Sequence, residues 1–290
     1  MTITILSLHS YPVKSCAGLT HADIGISEAG LAFDREWVLV DRQGVFMTQR
    51  QYARMALIQP GISDGVLHLQ APGMSTLTIT SAPDTPAPPP ISVRIWGTDT
   101  LGLDEGDTAA QWLSQFLDTP CRLLRVHPQA DRNASPDHVN AWRRKHHGTA
   151  PAFPAQHVFG FADGFPFLVA NQSSLEELNR QLLDKGQPAV PMNRFRPNIV
   201  LQGLDAYEED YLTSLRIGAM TFAFVKRCAR CPIPNIDQAT AISAPEPGLT
   251  LAAHRSFPEG VLFGVNAVVA GAGTGARLGV GDLVEPEFDF

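Results

Sequence analysis

The sequence predicts a mainly β protein with a few helices, and three observations carry that expectation. Short apolar runs alternate with turn residues over most of the 290 residues. A helical period of apolar residues appears clearly in only two stretches. No internal repeat interrupts the pattern, and no run approaches the 18 or more apolar residues of a membrane span.

Taken in order, ITILSLHSYPVKS (3–15), LAFDREWVLVDRQGVFMTQR (31–50) and ARMALIQP (53–60) read as strands, with residues 41–44 as a hairpin turn. VLHLQA, STLTIT and ISVRIW follow, the last two separated by a loop at 82–90 whose prolines forbid regular pairing. At 107–118 the period changes. Trp112, Leu113, Phe116 and Leu117 fall on one helical face, and Asp107 is placed to cap it. CRLLRV closes an N-terminal domain over 1–125. Residues 126–156 are polar and Pro-rich, contain the cluster 143-RRKHH-147, and read as a linker or mobile loop. A C-terminal domain over 157–290 opens with the strand FADGFPFLVAN. The helix at 173–186 carries two overlapping capping boxes, Ser173 to Glu176 and Ser174 to Glu177, and Gly186 as its stop. NIVLQG, LTSLRIG, MTFAFVKRC, FGVNAVVA and the unit GVGDLVEP are strands, while GAGTGARLG is a flexible loop, since no helix follows it. Barrels decorated by one or two helices suit this order.

The formal charge of −7 and isoelectric point near 5.7 argue against nucleic acid or an anionic membrane as partner, so any cationic site must be local. The N-terminus has no cationic, apolar leader pattern, and the protein is expected in the cytoplasm. Cys16, Cys121, Cys228 and Cys231 are too few and irregular for a disulfide framework. For Cys228 and Cys231, zinc, redox exchange, a disulfide and a single thiolate ligand are open at first reading. Structural zinc lacks a second close pair, and Pro232 and Pro234 disfavour the helix that a thioredoxin-like pair requires.

Four stretches combine special backbone with anion-binding or thiol chemistry: 11-YPVKSCAG-18, 34-DREW-37 with 48-TQR-50, 194-RFRPN-198 and 228-CARC-231. Each sits at a strand end beside a proline or a turn, where binding residues are mounted. Taken singly, their cations are equally ordinary surface charges. Taken together and in this order, the chain resembles the MOSC superfamily (molybdenum cofactor sulfurase C-terminal), and within it the branch of amidoxime-reducing components and hydroxylaminopurine-detoxifying bacterial proteins. The resemblance spans nearly the whole chain: an N-terminal MOSC β-barrel domain, then the MOSC β-barrel proper.

That resemblance implies a molybdenum cofactor, a pyranopterin dithiolene with a terminal phosphate, whose metal takes Cys231 as protein ligand. Only a thiolate is a good soft ligand, and Lys226, Arg227 and Arg230 are expected to favour it, while Cys228 packs as a small hydrophobe. By the same resemblance Lys14, Ser15, Arg35 and Arg196 bind phosphate and pterin oxygens, and Asn198 bonds pterin edges. Arg50, Arg194 and Arg230 complete the cofactor-binding set, and Asp163 delivers protons. Two departures from the family pattern stand out: Ala241, not Gly, follows Thr240, and Gly164 and Phe165 follow Asp163 in place of hydroxyl residues. The pocket is therefore expected to be roomier and more apolar. The implied activity is two-electron reduction of N-hydroxylated small molecules: amidoximes, hydroxylamines, N-hydroxylated nucleobases. No iron–sulfur or flavin module is encoded, so electrons are expected from a separate ferredoxin or flavoprotein, with the 143–147 cluster as a candidate dock. A carrier of the cofactor or of a persulfide, without turnover, is the alternative, although no pyridoxal-phosphate domain for a complete sulfurase is present.

Overall fold

The structure, a computed structural model, describes residues 2–79, 89–148, 150 and 152–289. Most of the proline loop expected at 82–90 lies outside the described residues. The chain is mainly β, with four α-helices among the described residues: α1 (Asp107–Leu117), α2 (Pro136–Lys145), α3 (Gln172–Asp184) and α4 (Gly248–His254). None of the described helices is long and apolar enough to cross a membrane.

The largest sheet has nine strands. Eight follow the order Glu285–Phe288, Leu212–Ile217, Met220–Ala229, Gly260–Ala270, Phe167–Asn171, Ile199–Gln202, Thr4–Ser10, Leu19–His21. The ninth, Ser256–Phe257, pairs with Gly260–Ala270. Phe167–Asn171 and Ile199–Gln202 run parallel, and α3 makes the crossover between them that parallel pairing requires. A four-stranded sheet joins Trp37–Val40, Arg122–Val126, Thr98–Asp104 and Ile91–Ile95 in that order, and Gln59–Ser63, Val66–Gln70 and Leu77–Ile79 form a three-stranded meander. In a further three-stranded sheet, Arg277–Gly279 pairs with Asp23–Ser27, which pairs with Gly30–Leu31.

The two largest cores follow the sheets rather than the chain order. Ile5, Leu8, Ile24 and Leu31 pack with Val169, Phe222, Val265 and Leu278, so residues expected in the N-terminal domain bury themselves in the core of the C-terminal half. The register is specific: Leu8 lies opposite Ile199, and a one-residue slip would turn this apolar face outward. Trp37, Leu39, Met55 and Leu67 form the second core with Trp112, Leu113 and Phe116 of α1. These α1 side chains are the ones the helical period singles out, each worth about 1.5–3 kcal/mol on burial.

Several local expectations need correction. Residues 53–57 form a 3₁₀ turn instead of a strand. Asp107 is the first residue of α1, not its cap: Gly106 precedes it, and Asp107 pairs with Arg122 at 2.8 Å. Both capping boxes of α3 are absent because Asn171 caps first, accepting from the Ser173 backbone N–H at 3.2 Å. Ser173 Oγ instead donates to the Leu204 carbonyl at 2.8 Å, and Ser174 Oγ to Glu209 at 2.7 Å. The stretch read as a linker contains α2, whose Val139 and Trp142 are buried with Ala223 and Val268 of the large sheet. Within GAGTGARLG, residues Arg277–Gly279 are a strand. The hairpin turn at 41–44 forms as expected, with Asp41 Oδ1 accepting from the backbone N–H groups of Gln43 (2.9 Å) and Val45 (3.0 Å).

Candidate functional site

YPVKSCAG connects Thr4–Ser10 to Leu19–His21 within the large sheet and reaches the four-stranded sheet where Val13 bridges Trp37, and a cleft opens beside this connection. Its wall includes Lys14, Ser15, Arg35, Arg50, Asp163, Arg196, Asn198, Arg230 and Cys231. Nine of the ten residues singled out by sequence thus meet in one place; the exception is Arg194. Five cations face one carboxylate there, in a chain whose formal charge is −7.

The floor is built on Tyr11. Its ring lies between two guanidinium groups, Arg35 with Cζ 4.3 Å and Arg196 with Cζ 4.2 Å from the centroid. Burial pushes the phenol up to about 12 against the pull of both arginines, so Tyr11 stays neutral and donates to the Pro197 carbonyl at 3.2 Å. Gly18 is glycine because a Cβ there would stand 2.5 Å from the Tyr11 ring. Arg35 is held by Asp34, whose two carboxylate oxygens both accept from Arg35 Nη1 (2.8 and 2.7 Å) and one of which also accepts from the Tyr11 backbone N–H at 2.8 Å. Asn198 is already engaged at both ends of its amide. Its oxygen accepts from Arg35 (3.2 Å) and the Leu168 N–H (3.1 Å), and its nitrogen donates to the His9 carbonyl (3.2 Å). Asn198 therefore positions Arg35 and joins two strands of the large sheet; the pterin-edge contact implied by resemblance would compete with these bonds.

Arg196 donates to the Cys16 carbonyl at 2.7 Å, while its second terminal nitrogen, Nη2, is buried without a partner. Arg230 likewise leaves Nε unmatched. Unmet guanidinium donors beside a cleft are costly unless a ligand meets them. Burial pulls Arg196 down to about 10, still charged at neutral pH. Backbone strain marks the same place. Among the described residues nine non-glycine residues have positive φ, and four of these, Ser15 (65°), Arg35 (48°), Trp96 (56°) and Arg196 (57°), line the cleft.

Lys14, 5% exposed, donates to Asp163 Oδ1 at 2.6 Å and to the Phe161 carbonyl at 2.7 Å. Burial lowers Lys14 to about 8, partly opposed by Asp163. Protein surrounds Asp163 on most sides, which works to raise its pKa. The Lys14 charge and the hydrogen bonds from Lys14 and the Trp96 indole outweigh that effect and hold it well below the usual carboxylate range. The side chain is nonetheless 65% exposed at the cleft mouth, so water reaches it. The proton of this pair resides on Lys14 Nζ, with Asp163 ionised beside it.

Cys228 and Cys231 are both half-buried and both line the cleft. Contrary to expectation, Cys228 is not packed away: its sulfur accepts from Arg230 Nη1 at 3.2 Å. Nor do all the neighbouring cations attend Cys231, since Arg227 pairs with Glu259 and stacks on Phe257. Cys16 and Cys121 belong to the core of the meander and α1, so no four-cysteine set forms. Burial pushes the Cys16 thiol up to about 12. Arg194 lies outside the cleft lining, where it braces the turn after Cys231 by donating to Asp237 (2.7 Å) and the Pro234 carbonyl (3.1 Å). Asp237 accepts in turn from Thr240 Oγ1 at 3.0 Å.

Two residues escaped sequence reasoning. Trp96, from the hairpin turn after Ile91–Ile95, donates its indole N–H to Asp163 at 3.1 Å. Arg132, in the stretch read as a linker, is 6% exposed and donates to the carbonyls of Gly160 (3.1 Å), Ala162 and Asp163, fixing the loop that presents Asp163. An arginine surrounded by polar linker-like residues carries no local signal of burial. Phe165 lines the cleft with Leu168, Phe195 and Ile233.

Comparison with known proteins agrees with this geometry. The model of the MOSC N-terminal beta barrel domain matches residues 2–120, and that of the MOSC domain matches residues 134–285. Mitochondrial amidoxime-reducing component 1 of Mus musculus is 33% identical over 259 residues, covering 87% of this chain and 71% of that protein. The Homo sapiens protein of the same name is 32% identical over 296 residues, covering 97% and 82%. Molybdenum cofactor sulfurase of Homo sapiens is 28% identical over 246 residues, which is 81% of this chain but 27% of that longer protein. With both domain models matched across a cleft walled by residues from each, the chain belongs to the MOSC-domain family.

Proposed function

We propose that this protein holds a molybdenum cofactor in the cleft and reduces N-hydroxylated small molecules with electrons from a separate redox protein. The observation that carries the reading is the buried cationic floor with unmet donors on Arg196 and Arg230, set beside two thiols. The donor set fits the group. A terminal phosphate suits the forked guanidinium donors of Arg35 and Arg196 and the Ser15 hydroxyl, and Arg50 and Arg230 complete the cationic surround. Cys231 supplies a soft thiolate. The cofactor, when bound, supplies the two-electron oxygen-transfer chemistry.

The chain's own residues supply position and protons. Lys14, near 8 and fixed by the Phe161 carbonyl, can release a proton at neutral pH, Asp163, kept ionised, orients it, and water at the cleft returns the proton to Lys14 Nζ. The apolar wall of Phe165, Leu168, Phe195 and Ile233 limits water beside the substrate. The donor, a ferredoxin or flavoprotein, is expected to dock on a local cationic surface, because the whole chain is acidic. Of the 143–147 cluster, Arg143 donates to the Phe153 carbonyl at 2.9 Å, Lys145 pairs with Asp289, and His146 is buried against Trp142. Arg144, exposed, is the member to reverse in a docking test.

The test is molybdenum analysis of protein purified from a molybdenum-sufficient host, followed by benzamidoxime reduction with reduced viologen. Wild-type protein should carry the metal and turn over. Cys231→Ser should abolish turnover, and Cys228→Ser should keep most of it. Equal loss in both variants would remove Cys231 as sole protein ligand, and a metal-loaded protein without turnover would leave a cofactor carrier.

A further inference from the structure

Trp96 is the one cleft residue whose exposure the rest of the fold does not account for. The chain has four tryptophans; Trp37, Trp112 and Trp142 are 2%, 7% and 7% exposed, whereas Trp96 is 48% exposed. It stands at a hairpin turn in the left-handed region (φ 56°), a conformation that bulky side chains rarely adopt. An aromatic ring left half open to water in a strained conformation is an unfavourable choice unless the ring is needed there.

Its orientation is nevertheless determined from three sides. The indole N–H donates to Asp163 Oδ1 at 3.1 Å, Phe46 packs at 5.1 Å between centroids with a tilt of 59°, and the Arg50 guanidinium carbon lies 4.2 Å from the ring centroid. These contacts hold the indole as a rigid wall of the cleft beside the Lys14–Asp163 pair. A planar surface held in place, with a cation on one side and open area remaining, is suited to stacking a planar π-system.

Resting on the reductase reading above, we infer that Trp96 is a specificity-determining residue that stacks the ring of the substrate, so the cleft selects N-hydroxylated groups carried on a planar aromatic or nucleobase-like ring over aliphatic ones. The N–O group then lies beside Lys14 and Asp163, whose position the same indole fixes. Alkyl amidoximes lose the stacking contact and retain only the polar end.

The test compares cofactor-loaded wild type, Trp96→Phe and Trp96→Leu in the reduction of benzamidoxime and acetamidoxime by reduced viologen. The ratio of kcat/KM for the aromatic over the aliphatic substrate should fall about tenfold in Trp96→Leu and be largely kept in Trp96→Phe. Taking the ratio cancels any general effect of losing the Asp163 contact. A second readout does not depend on turnover. Because the other three tryptophans are buried, intrinsic fluorescence of the wild type should change saturably with benzamidoxime and not with acetamidoxime. An unchanged ratio in Trp96→Leu overturns the inference. If wild-type protein reduces neither compound, the reductase reading fails and fluorescence alone decides: a saturable change confined to benzamidoxime sustains the stacking wall, and no change removes it.

Discussion

The chain has two concentrations of positive charge, and they differ in almost every physical respect. One is consecutive in sequence, 143-RRKHH-147, and forms the last turn of α2 and the residues after it. There Arg143 and Lys145 make ordinary contacts close to a helix C-terminus, where cations are favoured anyway. The other is scattered over Lys14, Arg35, Arg50, Arg196 and Arg230 and is assembled only by folding. Lys14 and Arg196 are buried, Arg35 and Arg230 half-buried and Arg50 exposed; two sit on strained backbone, two flank a neutral phenol, and two keep a donor unmet. The contrast teaches that density in sequence is a poor guide to a binding site. Burial that leaves donors unsatisfied is a better one, since such an arrangement persists only when something compensates its cost.

The cleft depends on residues that brace it from behind. Arg132 contacts no ligand in the proposed reading, yet it holds three carbonyls of the 160–163 loop. Arg132→Ala should cost about 3 kcal/mol in urea unfolding, because it leaves those carbonyls without a charged donor. Arg144→Ala, at the end of α2, should change stability by about 0.5 kcal/mol or less. Similar values for the two would mean that the cleft side of the comparison is no more committed than the helix end.

Lys14 tests burial itself, over a limited pH range. Its folded-state value of about 8 lies below the ordinary lysine value of 10.5. Between these values the unfolded chain holds a proton that the folded chain has released, so stability rises with pH across that window. Wild type should therefore gain on Lys14→Met as pH increases from about 8 to about 10.5 in the ligand-free protein. A constant difference between the two across that range would show that Lys14 is as well solvated as a surface lysine.

The smallest expected effect sharpens the contrast in backbone strain. Ala241 has φ 59°, in the left-handed region that favours glycine. Ala241→Gly should stabilise by about 1 kcal/mol, seen as a rise of a few degrees in Tm, since glycine enters this region without a Cβ clash. No comparable gain is expected at Ser15, Arg35 or Arg196, whose side chains line the cleft.

Much of the site was legible because its residues sit in four short, punctuated motifs, and the family resemblance assigned them together. Local chemistry alone left Arg35 and Arg196 indistinguishable from surface charges; Tyr11, which organises both, carries no sign in sequence that its ring will be flanked by guanidinium groups. The strand runs and α1 were readable from period. The pairing of Thr4–Ser10 with Ile199–Gln202 was not, because nothing in either strand names a partner so distant. α2 escaped because its apolar face is only Val139 and Trp142 in an otherwise polar stretch. Arg194 lies outside the cleft lining because Asp237 and the Pro234 carbonyl engage its guanidinium, a pairing its motif does not announce.

We propose that the dispersed cations, and not the consecutive ones, form the cofactor's cradle. The most direct test is the molybdenum and pterin content of folded Arg196→Ala and Arg144→Ala proteins purified in parallel with wild type from a molybdenum-sufficient host. Arg196→Ala loses charge-assisted hydrogen bonds worth about 1.5–3 kcal/mol, and its cofactor affinity should fall about ten- to a hundredfold, while Arg144→Ala should match wild type. Full molybdenum content in Arg196→Ala, or a loss equal to that in Arg144→Ala, would contradict the claim.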